Sequence, residues 1–131
     1  MHHHGYLWTG PKQRFDKEGL RRTPRASDLP PMETAHWLMK SASSIQGTWQ
    51  EPKEAAAWLG DRLAEYEHRF TSQTDCDGNR LTLLVNSTSD RLGWGGDVSF
   101  GFYLEHPVFL SMALVTCSPN RTAPELGCPQ R

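Results

Sequence analysis

The sequence lacks the features that would assign it to a well-marked class of protein. It contains no run of about 18 apolar residues, so no segment is expected to cross a membrane, and its opening residues lack the apolar stretch of a secretory signal. The protease motif HExxH, the nucleophile motif GxSxG and the Walker phosphate-binding loop are also absent. These absences favour a cytoplasmic protein and identify no reaction.

Cysteine is scarce. Cys76, Cys117 and Cys128 are an odd number without Cys-x-x-Cys spacing, which is a weak zinc signal and an incomplete disulfide framework. Their redox state stays open, with reduced thiols as the simple expectation. A free amino terminus followed by His2–His4 can chelate copper or nickel, but an incidental run of histidines is the better explanation of the pattern. The sequence therefore predicts no metal and no cofactor.

Large aliphatic and phenyl side chains are few and unevenly distributed. Leu, Ile, Val and Phe total 24 of 131 residues, below the share of about 20% that marks confident globular packing. The net charge of -1 and the five Trp argue against disorder. Because 20 of the 24 lie between Leu29 and Cys117, we expect a core domain over 29–117, an extended basic arm over 1–28 and a tail over 118–131.

Charge divides along the chain. Residues 1–28 carry six Lys or Arg against three acids, residues 29–79 carry four against eight, and residues 80–131 carry four of each. The arm also holds aromatic residues, and cations interleaved with rings can grip single-stranded nucleic acid. The acidic middle offers the same cations a partner within the chain or across a dimer, which disfavours nucleic acid.

Apolar spacing predicts two helices. The first, over roughly 31–46, follows two prolines that suit a first helical turn. The second begins near Pro52, and its apolar residues recur at spacings of three and four. The apolar lines are Ala35, Leu38, Ala42 and Ile45 in the first helix, and Ala55, Leu59, Leu63, Tyr66 and Phe70 in the second.

Three strands are expected after the helices. Apolar residues alternate over 80–87 and again over 98–104, and 108–117 is almost continuously apolar. The fold class is therefore α+β: an extended N-terminal arm, two helices, a three-stranded antiparallel meander and an irregular C-terminal tail. Open sheet edges and an apolar third strand favour a homodimer. Gly101 leaves a notch that a backbone, a ring or a ligand could fill.

Aromatic residues exceed what so small a core needs, and surplus rings between a sheet and helices commonly line a cleft. We therefore expect a small-molecule or peptide-binding protein, and the sequence leaves open whether it is an enzyme. An enzyme would be a cofactor-independent isomerase or cyclase, with His36 as acid or base and Asp97 or Tyr103 orienting the substrate. The expected ligand-binding residues are Trp37, Trp94, Phe100 and Phe102.

The alternative is a protein-interaction module. An inhibitor or immunity-type protein would recognise its partner through the acidic helical face. A cleft beside His36 favours the ligand-binding hypothesis, whereas a flat acidic face with tryptophans fully buried in the core favours the protein-interaction module.

Overall fold

The computed structural model describes residues 1–72 and 78–130, and Cys76 lies outside them. The architecture is α+β around one antiparallel sheet with strand order β2-β1-β4-β3. The strands are β1 His2–Pro11, β2 Gly47–Trp49, β3 Val98–Tyr103 and β4 Val108–Cys117. The helices are α1 Lys12–Phe15, α2 Glu18–Arg21, α3 Pro52–Tyr66 and α4 Gly78–Gly93, with 3₁₀ turns at Thr34–Met39, Ala42–Ser44 and Glu67–Arg69. None of the helices in the described ranges is long and apolar enough to cross a membrane.

The start of the expected arm is a central strand. β1 pairs with β4 along its whole length, from His2 opposite Cys117 to Pro11 opposite Val108, and with β2 on its other side. Five of the ten residues of β1 are buried, including His3 and His4, and three more are half-buried. A strand covered on both faces shows no polar–apolar alternation, which is why its period is invisible in the sequence.

The prediction of a strand over 80–87 is wrong, because these residues belong to α4. Alternating Leu81, Leu83 and Val85 overlap with a second pattern, in which Leu81, Leu84, Thr88 and Leu92 recur at helical spacing. The helix buries Leu81, Thr88 and Leu92 and leaves Leu83 69% exposed. A short apolar run supports both periods, and packing against α3 decides between them.

The prediction of one helix over 31–46 is also wrong. The chain there forms two 3₁₀ turns separated at Lys40, whose backbone is extended. The buried Lys40 ammonium donates to the carbonyls of Pro24 at 2.9 Å and Ser27 at 2.6 Å, which fixes the preceding segment against this turn. Ser41 accepts a hydrogen bond from the Ser43 N–H, and such local bonds compete with a continuing helix.

Other elements were predicted correctly. α3 ends in a 3₁₀ turn at Glu67–Arg69 and buries Ala55, Leu59 and Leu63 as its spacing indicates. β3 and β4 match the expected second and third strands, although a four-stranded sheet replaces the three-stranded meander. The notch at Gly101 is filled by a ring, because a Cβ there would lie 2.5 Å from Cζ of Phe109.

The sheet separates two apolar clusters. One lies between the sheet and helices α3 and α4, and includes Leu59, Leu110 and Leu114. The other lies on the opposite face and includes Tyr6 and Trp37. β4 is thus central and covered within its own chain. Its apolar sequence no longer requires a second copy, and the homodimer stays a prediction.

Candidate ligand-binding cleft and a His–Cys cluster

A cleft surrounds Trp94. One lobe, of about 510 Å³, lies between α4 and β3, and a second, of about 370 Å³, lies between the turn at 33–36 and the tail segment 121–125. Both lobes share Trp94, Arg91, Thr34 and Asp97. Volumes of this order accommodate small-molecule ligands.

The end of α4 explains why Trp94 projects into this space. The N–H of Gly95 donates to the carbonyl of Leu92 at 3.0 Å, and the N–H of Gly96 donates to that of Arg91 at 3.0 Å. These bonds form a Schellman C-cap, and Gly95 supplies the left-handed residue with φ +87. The indole that precedes this glycine is left 55% exposed.

Two guanidinium groups flank this indole. The Arg91 and Arg121 guanidinium carbons lie 5.6 Å and 5.2 Å from the Trp94 ring centroid. Nη1 of Arg121 also donates to the Trp94 carbonyl at 2.7 Å. Among the residues that the structure describes, neither guanidinium is within ion-pair distance of a carboxylate. The cleft therefore presents two permanent cations beside an exposed aromatic face.

Asp97 anchors the tail to the sheet. Its carboxylate accepts the N–H of Thr116 at 2.9 Å and the amide of Asn120 at 3.0 Å. The Asn120 oxygen in turn accepts the N–H groups of Thr122 and Ala123 at 3.0 and 2.9 Å. Burial raises the pKa of Asp97, and the hydrogen bonds that its carboxylate accepts from Asn120 and Thr116 oppose that shift. Asp97 thus holds the wall that carries Arg121.

His36 lies at the rim of the second lobe. Its Nε2 is 2.7 Å from Oε2 of Glu33, one helical turn earlier, and its side chain is 34% exposed. A carboxylate that accepts one imidazole N–H fixes the ring orientation and leaves the other nitrogen available for proton exchange. The pair can therefore take part in acid–base chemistry on a ligand in this lobe.

The structure brings four of the seven predicted site residues together. His36, Trp94, Asp97 and Phe100 line the two lobes. Trp37 is buried on the other face of the sheet, stacked on Tyr6, and Phe102 is buried against Phe70. Tyr103 lies in a separate hollow that is also lined by Lys12 and His106. None of these three residues lines the Trp94 cleft.

A second group of chemistry-bearing residues lies where the tail meets β1. His2, His4, Cys117 and Cys128 place one ligand atom each within 4.8 Å of one another, so they could hold a metal ion. His2 and His4 are two residues apart on one strand and therefore share a face, and Cys117 lies opposite His2 in the β1–β4 ladder. Cys128 comes from the tail. We call these four residues the His–Cys cluster.

Burial perturbs the groups around the His–Cys cluster. It lowers the pKa of His4 to about 4, with smaller effects from the adjacent histidines. It raises the pKa of Cys117 to about 11, with a further contribution from Cys128. Burial also raises the pKa of the Tyr6 phenol, and the thiols of Cys117 and Cys128 add to that shift.

Sequence reasoning missed the His–Cys cluster because its members are far apart along the chain. His2 and Cys117 are separated by 115 positions and His4 and Cys128 by 124. Spacing rules for zinc sites detect ligands from one loop or one finger. The available signal is the His-x-His alternation, which puts two imidazoles on one face as soon as the segment is recognised as a strand.

Comparisons with protein-family models, with curated proteins and with solved structures found no match to this chain.

Proposed function

We propose that the protein binds a small molecule or a short peptide in the cleft around Trp94. The main support for this proposal is that three segments, 33–36, 87–100 and 121–125, meet around the exposed indole of Trp94. Tryptophans that only complete a core are covered on all sides, as Trp37 is at 5% exposure. Trp94 is instead held by a helix cap with its ring available.

The lining favours a ligand with an acidic group and a planar or apolar part. Arg91 and Arg121 supply guanidinium donors that match a carboxylate or phosphate. Four carboxylates also line the lobes. Oε2 of Glu33 and both oxygens of Asp97 already accept hydrogen bonds, from His36 and from Asn120, whereas Asp90 and Glu125 are exposed to solvent. The Trp94 ring offers a stacking surface between the cations.

An isomerase or cyclase would use the same cleft without a cofactor. His36 would exchange the proton, with Glu33 as its orienting partner at 2.7 Å. Asp97 would act through the backbone that it anchors, since its oxygens are occupied. Catalysis would come mainly from holding the substrate in a reactive shape.

The experiment is a thermal-shift screen of the full chain against small carboxylates, phosphate esters and short acidic peptides. Hits are then titrated by calorimetry against wild type and against Trp94→Ala and Arg121→Met. We expect both changes to weaken binding by at least about 10-fold. Arg121→Met removes a charge-assisted hydrogen bond worth about 1.5–3 kcal/mol, and Trp94→Ala removes a stacking contact and the apolar area of the indole. Leu83→Ala, an exposed change on α4 outside the cleft lining, is the control and should leave affinity unchanged.

Two outcomes would contradict the proposal. Hits that bind wild type and both cleft variants equally would place the ligand elsewhere. A screen without hits at millimolar concentration would favour the protein-interaction module, for which the exposed acids of α3, including Glu54, Asp61 and Glu65, supply the recognition face.

We further propose that the protein is cytoplasmic and forms a homodimer. β3 is an edge strand, and residues on its outer side have one described backbone bond, from Thr71 N–H to the Tyr103 carbonyl at 3.1 Å. A second copy could pair there. Light scattering that gives the monomer mass at micromolar concentrations would rule out a stable dimer.

A further inference from the structure

The four members of the His–Cys cluster bring one ligand atom each within 4.8 Å of one another. His2 Nε2 lies 3.1 Å from His4 Nε2, 3.1 Å from Cys117 Sγ and 3.3 Å from Cys128 Sγ, and His4 Nε2 lies 3.4 Å from Cys128 Sγ. In tetrahedral zinc sites, Zn–N bonds of about 2.0–2.1 Å and Zn–S bonds of about 2.3 Å place neighbouring ligand atoms about 3.3–3.8 Å apart. The four separations given above, 3.1–3.4 Å, are close to these ligand–ligand distances, and the other two pairs of ligand atoms lie within 4.8 Å.

Hydrogen bonds alone do not account for this arrangement. An imidazole Nε2 has either one N–H or one lone pair, so it makes one good hydrogen bond. His2 Nε2 has three polar neighbours within 3.3 Å, and His4 Nε2 has two within 3.4 Å. A cation at the centre satisfies every one of these lone pairs at once.

The surroundings of His4 select the tautomer that a metal needs. Its Nδ1 is 2.8 Å from Oγ1 of Thr48, and that hydroxyl donates to Oε1 of Gln130 at 3.0 Å. Because the Thr48 proton is used on Gln130, the Thr48 oxygen accepts the N–H from Nδ1. The Nε2 lone pair is then free and faces Cys128. Such outer hydrogen bonds are the usual means of orienting a metal-bound histidine.

We infer that the His–Cys cluster is a structural Zn²⁺ site with two imidazole and two thiolate ligands. Imidazole and thiolate in a compact set of four are the donors that zinc prefers, and four protein ligands leave no position for a substrate. Binding releases the two thiol protons, and two thiolates neutralise the charge of the ion. A neutral centre suits the burial of His4 and Cys117, which are both 0% exposed.

The topology gives this site its role. Cys117 ends β4, Cys128 lies in the tail, and the segment between them contains no helix or strand. Within that segment Asn120 is held by Asp97, and Arg121 contacts Trp94. Zinc would join both ends of the segment to β1, so that one ion closes the tail over the sheet.

The test is metal analysis of the full chain purified from zinc-supplemented medium, followed by replacement with Co²⁺. We expect one Zn²⁺ per chain. The Co²⁺ form should show the intense visible bands of tetrahedral coordination and a near-ultraviolet thiolate-to-cobalt charge-transfer band. A thiol reagent that modifies Cys117 and Cys128 should release the ion.

Cys128→Ser and Cys76→Ser are matched variants, since each removes one thiol from the same protein. Cys128→Ser should weaken zinc binding by more than about 100-fold, because residues that merely orient a ligand already contribute about 10- to 100-fold. It should also halve the charge-transfer intensity at saturating Co²⁺, a change that a loss of folding would not mimic. Cys76→Ser should match wild type in both measurements.

Three results would overturn the inference. One is folded wild type that takes up less than a tenth of an equivalent of added Zn²⁺. Another is Cys128→Ser that binds as tightly as Cys76→Ser. The third is Cu²⁺ or Ni²⁺ binding that is lost on His3→Ala while no thiolate band appears with Co²⁺, which would identify an amino-terminal chelate instead, since His3 contacts Thr116 and is outside the cluster.

Discussion

The side-chain amide of Asn120 donates to both carboxylate oxygens of Asp97 at 3.0 Å and to the Thr116 carbonyl at 2.7 Å. Asn120 is 0% exposed and belongs to a segment without regular secondary structure. One buried side chain therefore links the tail to Asp97, directly before β3, and to β4.

Replacement of Asn120 by Ala should destabilise the fold by about 1–3 kcal/mol, because it leaves buried polar groups without partners. Urea denaturation measures the loss. Asn86→Ala, at an exposed position of α4, is the control and should stay within about 0.5 kcal/mol of wild type. Equal effects at the two positions would mean that the Asn120 bonds contribute no net stability.

The Asp97 carboxyl should give stability an unusual dependence on pH. Burial raises its pKa in the folded state above the ordinary value of 3.8 that it keeps in the unfolded chain. Between these two values the folded state binds more protons than the unfolded state, so the contribution of Asp97 to the free energy of unfolding falls as pH rises. It is greatest below pH 3.8 and levels off above the folded pKa.

The measurement is the pH dependence of the difference in unfolding free energy between wild type and Asp97→Asn. As pH rises from 3.8 to the folded-state pKa of Asp97, the unfolding free energy of wild type should fall relative to that of Asp97→Asn. The matched control is Asp61→Asn on the exposed side of α3. A carbon NMR titration that places the Asp97 pKa at or below the ordinary value would contradict the prediction.

Gly101→Ala should destabilise the protein by about 1–3 kcal/mol through overpacking. A Cβ at this position would lie 2.5 Å from Cζ of Phe109, whose ring also contacts Phe15 and Tyr103. Thermal unfolding reports the change. Gly19→Ala in α2 is the control, since a Cβ there meets nothing within 4 Å, and its midpoint should not fall.

Leu63→Ala should lower the free energy of unfolding by about 2–5 kcal/mol, as expected for a large side chain removed from a core. Leu63 is 1% exposed between α3 and the sheet, whereas Leu83 on α4 is 69% exposed. Leu83→Ala should change stability by less than about 0.5 kcal/mol. A comparable loss for Leu83→Ala would mean that Leu83 is buried, as in the strand predicted over 80–87, and would contradict the helix.

Local pattern was sufficient where apolar residues follow one period or form one unbroken run. α3 and β3 could be predicted from a single period, and β4 from a continuous apolar run of strand length. β1 could not, because two of its buried side chains are histidines that count as polar and interrupt such a run. α4 could not, because Leu81 fits both a helical and a strand register.

The candidate sites divide in the same way. His36, on the expected first helix, and Trp94 and Asp97, in the glycine-rich turn, were among the predicted site residues, and all three line one lobe of the cleft. Phe102 and Tyr103 failed to join them because the strand turns their side chains toward the core and toward another hollow. The His–Cys cluster depends on pairing between β1 and β4, and no local spacing contains that information.

The central place of β1 also constrains the order in which the molecule is built. During synthesis, residues 2–11 have only the three-residue β2 as a possible neighbour until residues 108–117 have left the ribosome. Pairing across so long a stretch of chain is entropically expensive and slow. β1 is made before the other described strands and is thus among the last of them to be paired fully. A nascent chain that still lacks β4 exposes an edge for chaperones to shield.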